Sequence, residues 1–460
     1  MASPHKQRGR REMLALLGSL GITGAAGCIT TNPPSNSGGG GGGNGSGNGS
    51  GGGNASGNNS AANGYSGSMA GSFSFWEMSG SWNHHMKRYQ DETGVTINHT
   101  NMGYDEIIDR MQTRLLSGTD APGTALVEYA SLKQVANTGG LRDLSPWIED
   151  AGIKSDFPSS IWTTAGSGNE IYEIPYDINP TSLFYRKDVW DEHGLNADIE
   201  TWDQLIEEGK KLPDDVALLS LPSAAIDLYW RMLYWQQGGQ EFDKQGRLAF
   251  DNDTSLRVFR LLNRLGEEGL TNKVANFSQQ WFSGFSNGSI TGYCSGAWFN
   301  STLQESVKDT AGKWRAMKLP AFEEGGNRAS NRGGSGLCIP KQVSDDVARR
   351  AFDFALKTNA NADEMAWLFK NVGNFPAFGP AHERDAFSQG FDFFGGQKLG
   401  DLWVEQLPDI PPYRFTVDSP TVMDVINTQL RRVVYGNASP EAAHEKAVQE
   451  AAKQTDRDVA

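Results

Sequence analysis

The sequence predicts an α/β protein with a mostly parallel sheet covered by helices, and three observations predict it. Strand-like runs (Ser72–Glu77, Val95–His99, Ala125–Tyr129) alternate with helical patterns (Trp82–Glu92, Tyr104–Leu116) at the spacing of strand–helix–strand units. The chain has 460 residues, enough for two domains with cores of their own. The stretch Glu170–Arg186 places two strand-like pieces, Ile171–Ile174 and Ser182–Tyr185, on either side of a stiff knot of Pro175, Tyr176, Asp177, Asn179 and Pro180. That knot reads either as a link between two lobes or as a connection within one sheet.

In chain order, the first 72 residues carry no core pattern. Residues 1–27 read as an export signal: Lys6, Arg8, Arg10 and Arg11 precede the short apolar run Leu14–Ala26. The pair Arg10-Arg11 followed by Glu12, Met13 and Leu14 resembles a twin-arginine signal. Ala25-Ala26-Gly27-Cys28 resembles a lipoprotein cleavage box, which makes Cys28 the expected lipidation site. Residues 28–72 are dominated by Gly, Asn and Ser and bury too little apolar surface to offset the entropy of ordering. Such a tether spans roughly 35 Å root-mean-square. Asn44, Asn48, Asn54 and Asn58 within it stand in Asn-x-Ser sequons.

The net charge is −14, and no Arg/Lys stripe follows the leader, which excludes a nucleic-acid partner. Acidity suits solubility in high salt and, with the leader, points to an archaeal lipoprotein. Three cysteines, Cys28, Cys294 and Cys338, are too few for a disulfide scaffold. The last two could form a bridge in an oxidising exterior. The body has no apolar run long enough to span a membrane. It has no metal-ligand spacing, and His84 and His85 are expected to face solvent or pack on the first helix. No cofactor motif appears.

Beyond the first units, Leu141–Trp147 reads as a turn. Thr201-Trp202-Asp203-Gln204 reads as a capping box opening a helix to Leu212. Ala217–Leu221 is strand-like, Ile226–Gln237 an aromatic-rich helix and Ser255–Glu268 an amphipathic one. Trp281–Asn287 and Ile290–Tyr293 lead to Gly296-Ala297-Trp298, and Lys313–Leu319 is a strand stopped by Pro320. Asn331–Lys341 is glycines and then an extended piece, and Asp345–Leu356 a helix. Phe375–Phe378 and Pro408–Pro412 are loops, and Ser419–Tyr435 and Pro440–Lys453 the closing helices.

An ordered set of short motifs carries a resemblance. It runs through Phe75-Trp76, Thr93-Gly94-Val95, Leu116–Pro122, Leu141–Leu144 and Ile174-Pro175 to Tyr185–Asp188. It continues through Gly194-Leu195 with Thr201–Leu205, Phe285–Gly288, Gly296–Trp298, Gly333-Gly334 and Tyr435-Gly436. Together they resemble the extracellular solute-binding proteins of ABC importers, in the sugar-binding branch that includes maltose-binding proteins. The resemblance implies a two-lobed, periplasmic-binding-protein-like clam-shell, each lobe a largely parallel sheet flanked by helices. It places residues 73–177 with 332–377 in the first lobe and 178–331 with 378–460 in the second, joined by three crossovers; a bridge between Cys294 and Cys338 would pin that hinge, so the resemblance implies two free, largely buried thiols. It also implies a receptor at the cell surface outside the cytoplasm, monomeric, delivering a sugar to ABC permease subunits.

A sugar offers a C–H face to aromatic rings and hydroxyls to carboxylates, amides and guanidinium groups. The aromatic candidates are Trp76, Tyr129, Tyr176, Trp230, Trp298 and Phe375; the polar ones are Glu128, Asp177, Asn300 and Arg332. By resemblance Trp298 is the stacking tryptophan. Two rival readings use the same residues: an exported glycoside hydrolase with Glu128 and Asp177 as its carboxylates, and a surface carbohydrate-binding module without a transporter. No nucleophile elbow or phosphate-binding loop supports an enzyme.

Overall fold

The computed structural model describes residues 68–460. The export leader, Cys28 and the tether sequons lie outside the described residues. The first strand begins at Ser72 and is already tied to the body, since Gly71 O accepts from Thr96 N at 2.9 Å.

The first sheet has five strands in the order Thr96–Asn101, Ser72–Glu77, Thr124–Glu128, Ser335–Cys338, Glu173–Pro175. Four run the same way; Ser335–Cys338 is antiparallel to both its neighbours. Side-chain alternation splits the apolar residues between two layers. Phe73, Phe75, Leu126 and Leu337 join Trp82 and Tyr89 of the helix Asn83–Thr93. Ala125, Val127 and Cys338 join Ile107, Met111 and Leu115 of the helix Tyr104–Ser117. The predicted stop at Thr93-Gly94 is real: Gly94 takes φ 70° and donates to Gln90 O.

The second sheet corrects one expectation. It was predicted to be largely parallel, but Thr181–Arg186 lies at its centre with Gly292–Gly296 and Trp314–Lys318 antiparallel on either side. The reason is topological. Thr181–Arg186 carries the chain away from the first sheet, while its two partners carry it back. Parallel pairing in this half is limited to short pieces: Leu219–Ser220 with Thr271–Asn272, and isolated bridges joining Ala217 to Ile290, Thr201 to Ala321 and Leu248 to Val459. Helices Asp227–Gln236, Asp253–Glu267, Ser419–Val434 and Pro440–Thr455 pack together on this side.

Local signals place most boundaries. The capping box at Thr201 and Gln204 is present, but its helix stops at Gly209, because Pro213 has no N–H to donate to Gly209 O and Leu212 N takes that carbonyl in a tighter turn. Leu141–Trp147, read as a turn, contains the start of a helix, Ser145–Ala151, with Pro146 in its first turn.

Three segments pass between the sheets, and they are laced together. Asp177 bridges Pro376, and Pro180 bridges Asn331. Ile178 N donates to Phe375 O at 3.0 Å, and Arg332 N donates to Asn179 O at 3.0 Å. Gly334, at φ 113°, is required here, since a Cβ on it would lie 2.7 Å from the Tyr129 ring. Cys294 and Cys338 are both free and buried. Among the described residues no helix is long and apolar enough to cross a membrane.

Candidate ligand-binding site

A cavity of about 700 Å3 lies where the first sheet faces the second. Met78-Ser79 and Glu128-Tyr129 enter it from the ends of strands Ser72–Glu77 and Thr124–Glu128. Tyr176-Asp177 enter it just past Glu173–Pro175. These are carboxyl ends of strands that run together, where open α/β sheets leave a crevice. Trp298 enters from the opposite side, two residues past Gly292–Gly296.

Six of the ten predicted residues line this cavity: Glu128, Tyr129, Tyr176, Asp177, Trp298 and Arg332. They do not offer equal surface. Tyr176 is buried and stacked on Trp82 with centroids 4.4 Å apart, and Tyr129 is buried with its hydroxyl donating to Asp177 O at 3.2 Å. Asp177 is consumed by structure. Its Oδ1 accepts from Ser335 N and Ser335 Oγ, both at 2.7 Å, and its Oδ2 accepts from Asn179 Nδ2 at 3.0 Å. Arg332 donates to Cys294 O and to the Tyr293 hydroxyl, each at 2.8 Å. Trp298 is half-buried, its indole Nε1 donating to Arg332 O at 3.2 Å. The exposed surface therefore belongs chiefly to Trp298 and Glu128.

The other four lie outside the cavity. Trp76 is half-buried against the core layer beneath the helix Tyr104–Ser117. Trp230 is fully buried, its Nε1 donating to Ser255 Oγ at 3.0 Å and its ring stacked on Tyr234. Asn300 is fully buried, its Nδ2 donating to Ala297 O and Gly373 O. Phe375 is fully buried among Phe369, His382, Phe387 and Trp403.

The sequence reading missed several wall residues. Phe277 is 54% exposed at φ 60°, and its ring faces Trp298 with centroids 6.2 Å apart and planes 24° apart. A non-glycine residue in the left-handed region costs energy and is a mark of a constrained site. Arg231 and Trp235 come from the aromatic-rich helix, and Phe415 and Tyr104 from elsewhere. Arg231 Nε pairs with Glu241 Oε1 at 2.6 Å, and its guanidinium lies 5.2 Å from the Phe415 ring centroid. Helical periodicity alone marked Trp235 as an aromatic, but not which side of the helix faces the crevice.

Burial pushes the Glu128 carboxyl above its ordinary range, and the Tyr104 hydroxyl, Arg231 and Arg332 pull it back. Burial likewise raises Asp177, opposed by its bonds from Ser335 and Asn179. Asp227, beside Arg231 and Arg332, is pushed up by burial to about 6. Glu128 and Asp177, with Arg231 and Arg332, thus line the same cavity as the Phe277 and Trp298 rings, polar groups set beside an aromatic shelf.

Among the described residues one cluster, His84, His85 and Glu364, brings metal-ligating atoms within 4.8 Å of one another. Arg88 Nε already neutralises Glu364 at 2.7 Å. His84 is stacked on Trp367 with centroids 3.5 Å apart, and His85 is buried.

Residues 85–391 match the family described as bacterial extracellular solute-binding protein. The arabinooligosaccharide-binding protein of Halalkalibacterium halodurans is 24% identical over 358 residues, 75% of this chain and 79% of that protein. The lactose-binding protein of Rhizobium radiobacter is 26% identical over 334 residues, 70% of this chain and 77% of that one. Among solved structures, the ABC transporter associated binding protein from B. animalis subsp. lactis, in complex with beta-1,6-galactobiose, aligns with a TM-score of 0.71 at 25% identity. The alignment covers 84% of this chain and 99% of that one. The galacto-N-biose-/lacto-N-biose I-binding protein of Bifidobacterium longum, at 18% identity, shares the fold with a TM-score of 0.72 over 85% of this chain and 98% of that one.

Proposed function

Since this chain belongs to the bacterial extracellular solute-binding protein family, we propose that it is the carbohydrate receptor of an ABC importer. The observation that carries this reading is the cavity between the two sheets, with Trp298 and Phe277 as an aromatic shelf and Glu128 and Arg231 beside it. Rings take the C–H face of a sugar and the charged groups take its hydroxyls.

The two lobes meet at the crossovers near Asp177–Thr181, Ser330–Gly334 and Asn374–Ala377, with residues 73–177 and 332–377 forming one and the remainder of the body the other. Ligand touches both lobes and favours the closed arrangement by population shift. Permease subunits then read the closed form of a monomeric receptor. The leader and Cys28 provide twin-arginine export and a lipid anchor of an archaeal lipoprotein, and the Gly/Asn/Ser tether keeps the receptor near its permease.

A binding role without catalysis fits the carboxyls. Asp177 already accepts three hydrogen bonds from the protein, which leaves it unsuited to activate water or attack a glycosidic bond. The test is calorimetry of the protein against neutral di- and oligosaccharides, with product analysis of the same mixtures. Saturable binding with intact sugar supports the receptor. Hydrolysis that falls when Glu128 becomes Gln would replace it with a glycosidase.

A further inference from the structure

Beside the main cavity lies a second one of about 850 Å3, and Phe415 lines both. Lys133, Trp162 and Tyr172 wall it on the side of the first sheet, and the segment from Arg414 to Val417 closes the other side. Its charge is the unusual feature. The chain carries 55 acidic and 41 basic residues, yet this wall holds two cations, Lys133 and Arg414, and no carboxylate.

Neither cation is committed to the protein. Arg414 is fixed through its backbone N–H, which donates to Gln240 Oε1 at 3.0 Å, and its guanidinium enters no ion pair among the described residues. Lys133 is only 8% exposed, and its ammonium likewise has no carboxylate within ion-pair distance among the described residues. The acid that acts on it most is Glu173, which is fully buried with both oxygens unpartnered. No hydrogen bond ties its oxygens to the ammonium, and burial drives that carboxyl well above its ordinary range, which weakens it as a counter-ion. A desolvated cation without a counter-ion is costly, and such a group in a cleft marks a site for an anion. Trp162 completes the wall. Its Nε1 donates to Lys154 O at 3.1 Å, which fixes the ring while leaving the residue half-buried.

We infer that this second cavity is a further subsite of the same cleft, built for a sugar unit bearing a carboxylate that Lys133 and Arg414 hold while Trp162 packs against the ring. The ligand is then an acidic oligosaccharide long enough to pass Phe415, its neutral part on the Trp298 shelf. This inference rests on the carbohydrate-receptor reading. Ammonium and guanidinium groups suit a carboxylate through charge-assisted hydrogen bonds, and the guanidinium fork adds bidentate geometry.

The test is calorimetry of the full chain against oligogalacturonates and glucuronate-bearing oligosaccharides, each beside its methyl ester, which keeps the shape and removes the charge. The acid is expected to bind at least about tenfold more tightly than its ester, a preference of about 1.4 kcal/mol. In Lys133→Met/Arg414→Gln that ratio is expected to fall to near one. Arg414→Gln alone, at a half-buried position, provides the same readout if the double variant does not fold. Equal affinity for acid and ester in the unaltered protein, or a preference that survives the substitutions, overturns the subsite and leaves the receptor standing. No binding of any sugar, neutral or acidic, overturns the receptor reading and the subsite together.

Discussion

The backbone N–H of Trp298 donates to Asn179 Oδ1 at 3.1 Å. Asn179 belongs to the first segment passing between the sheets, and its Nδ2 donates to Asp177 Oδ2. The tryptophan of the cavity wall is thus positioned by the same residues that knit the crossovers. Its indole N–H, donating to Arg332 O, ties it to the second crossover as well. Such bonding fixes the ring, and in the proposed receptor it would lower the entropy cost of binding.

Trp298→Ala is expected to weaken sugar binding by about 1–3 kcal/mol, the scale of one aromatic contact. Calorimetry with the best-binding neutral sugar reads this directly. Trp230→Phe is the contrasting variant. Trp230 is core, so its loss is expected in the thermal midpoint and not in the affinity. An unchanged affinity for Trp298→Ala would remove that residue from the site.

Asp177→Asn is expected to destabilise the fold by about 1–3 kcal/mol, the cost of leaving buried polar groups mismatched. The new amide would set one N–H2 group against a donor, either Asn179 Nδ2 or the Ser335 pair. Asn179 cannot relieve this by flipping, because its Oδ1 is held by Trp298 N. Urea unfolding of both proteins measures the difference. A variant as stable as the parent would show that the crossover network is not tight.

What could be read from the residues, and what could not, follows the range of the forces involved. The capping box at Thr201 and the helix end at Gly94 are set within a few residues, so their sequence signals are sufficient. The motif Gly296-Ala297-Trp298 points to Trp298, which lines the cavity. No motif points to Phe277, because nothing local announces a ring held at φ 60° against a tryptophan 21 positions later. Trp230 and Trp235 share one helix, but one meets Ser255 and the other the cavity. Only packing against Asp253–Glu267 decides which side is core. The antiparallel second sheet was missed for a similar reason, since pairing direction depends on which strands leave and return across the crossovers.

Phe277→Ala is expected to separate affinity from stability. The side chain is more than half exposed, so thermal stability should move by no more than about 0.5 kcal/mol. Its ring covers Trp298 at the cavity mouth, so sugar affinity should fall by about 0.5–1.5 kcal/mol, the value of one aromatic pairing. Parallel melting and calorimetry test both halves. Loss of stability with unchanged affinity would assign Phe277 to packing.

Lys133 supplies a pH dependence with a defined sign. Burial lowers its ammonium from the ordinary lysine range to about 8. Below pH 8 the folded protein carries the whole penalty of a desolvated charge. Between pH 8 and the unfolded value near 10.5 the folded side chain is neutral while the unfolded one stays charged, so stability from this group rises with pH. Lys133→Met is therefore expected to stabilise the protein at pH 7 by about 2–3 kcal/mol, a gap that narrows at pH 10. Binding moves the other way. An acidic sugar needs the ammonium, so its affinity should decline as pH rises past 8, while that of the methyl ester should not follow. Denaturation curves at the two pH values, and titrations of acid and ester between pH 6.5 and pH 9.5, check both signs. A parent and variant equally stable at pH 7 would mean that Lys133 bears no desolvation penalty.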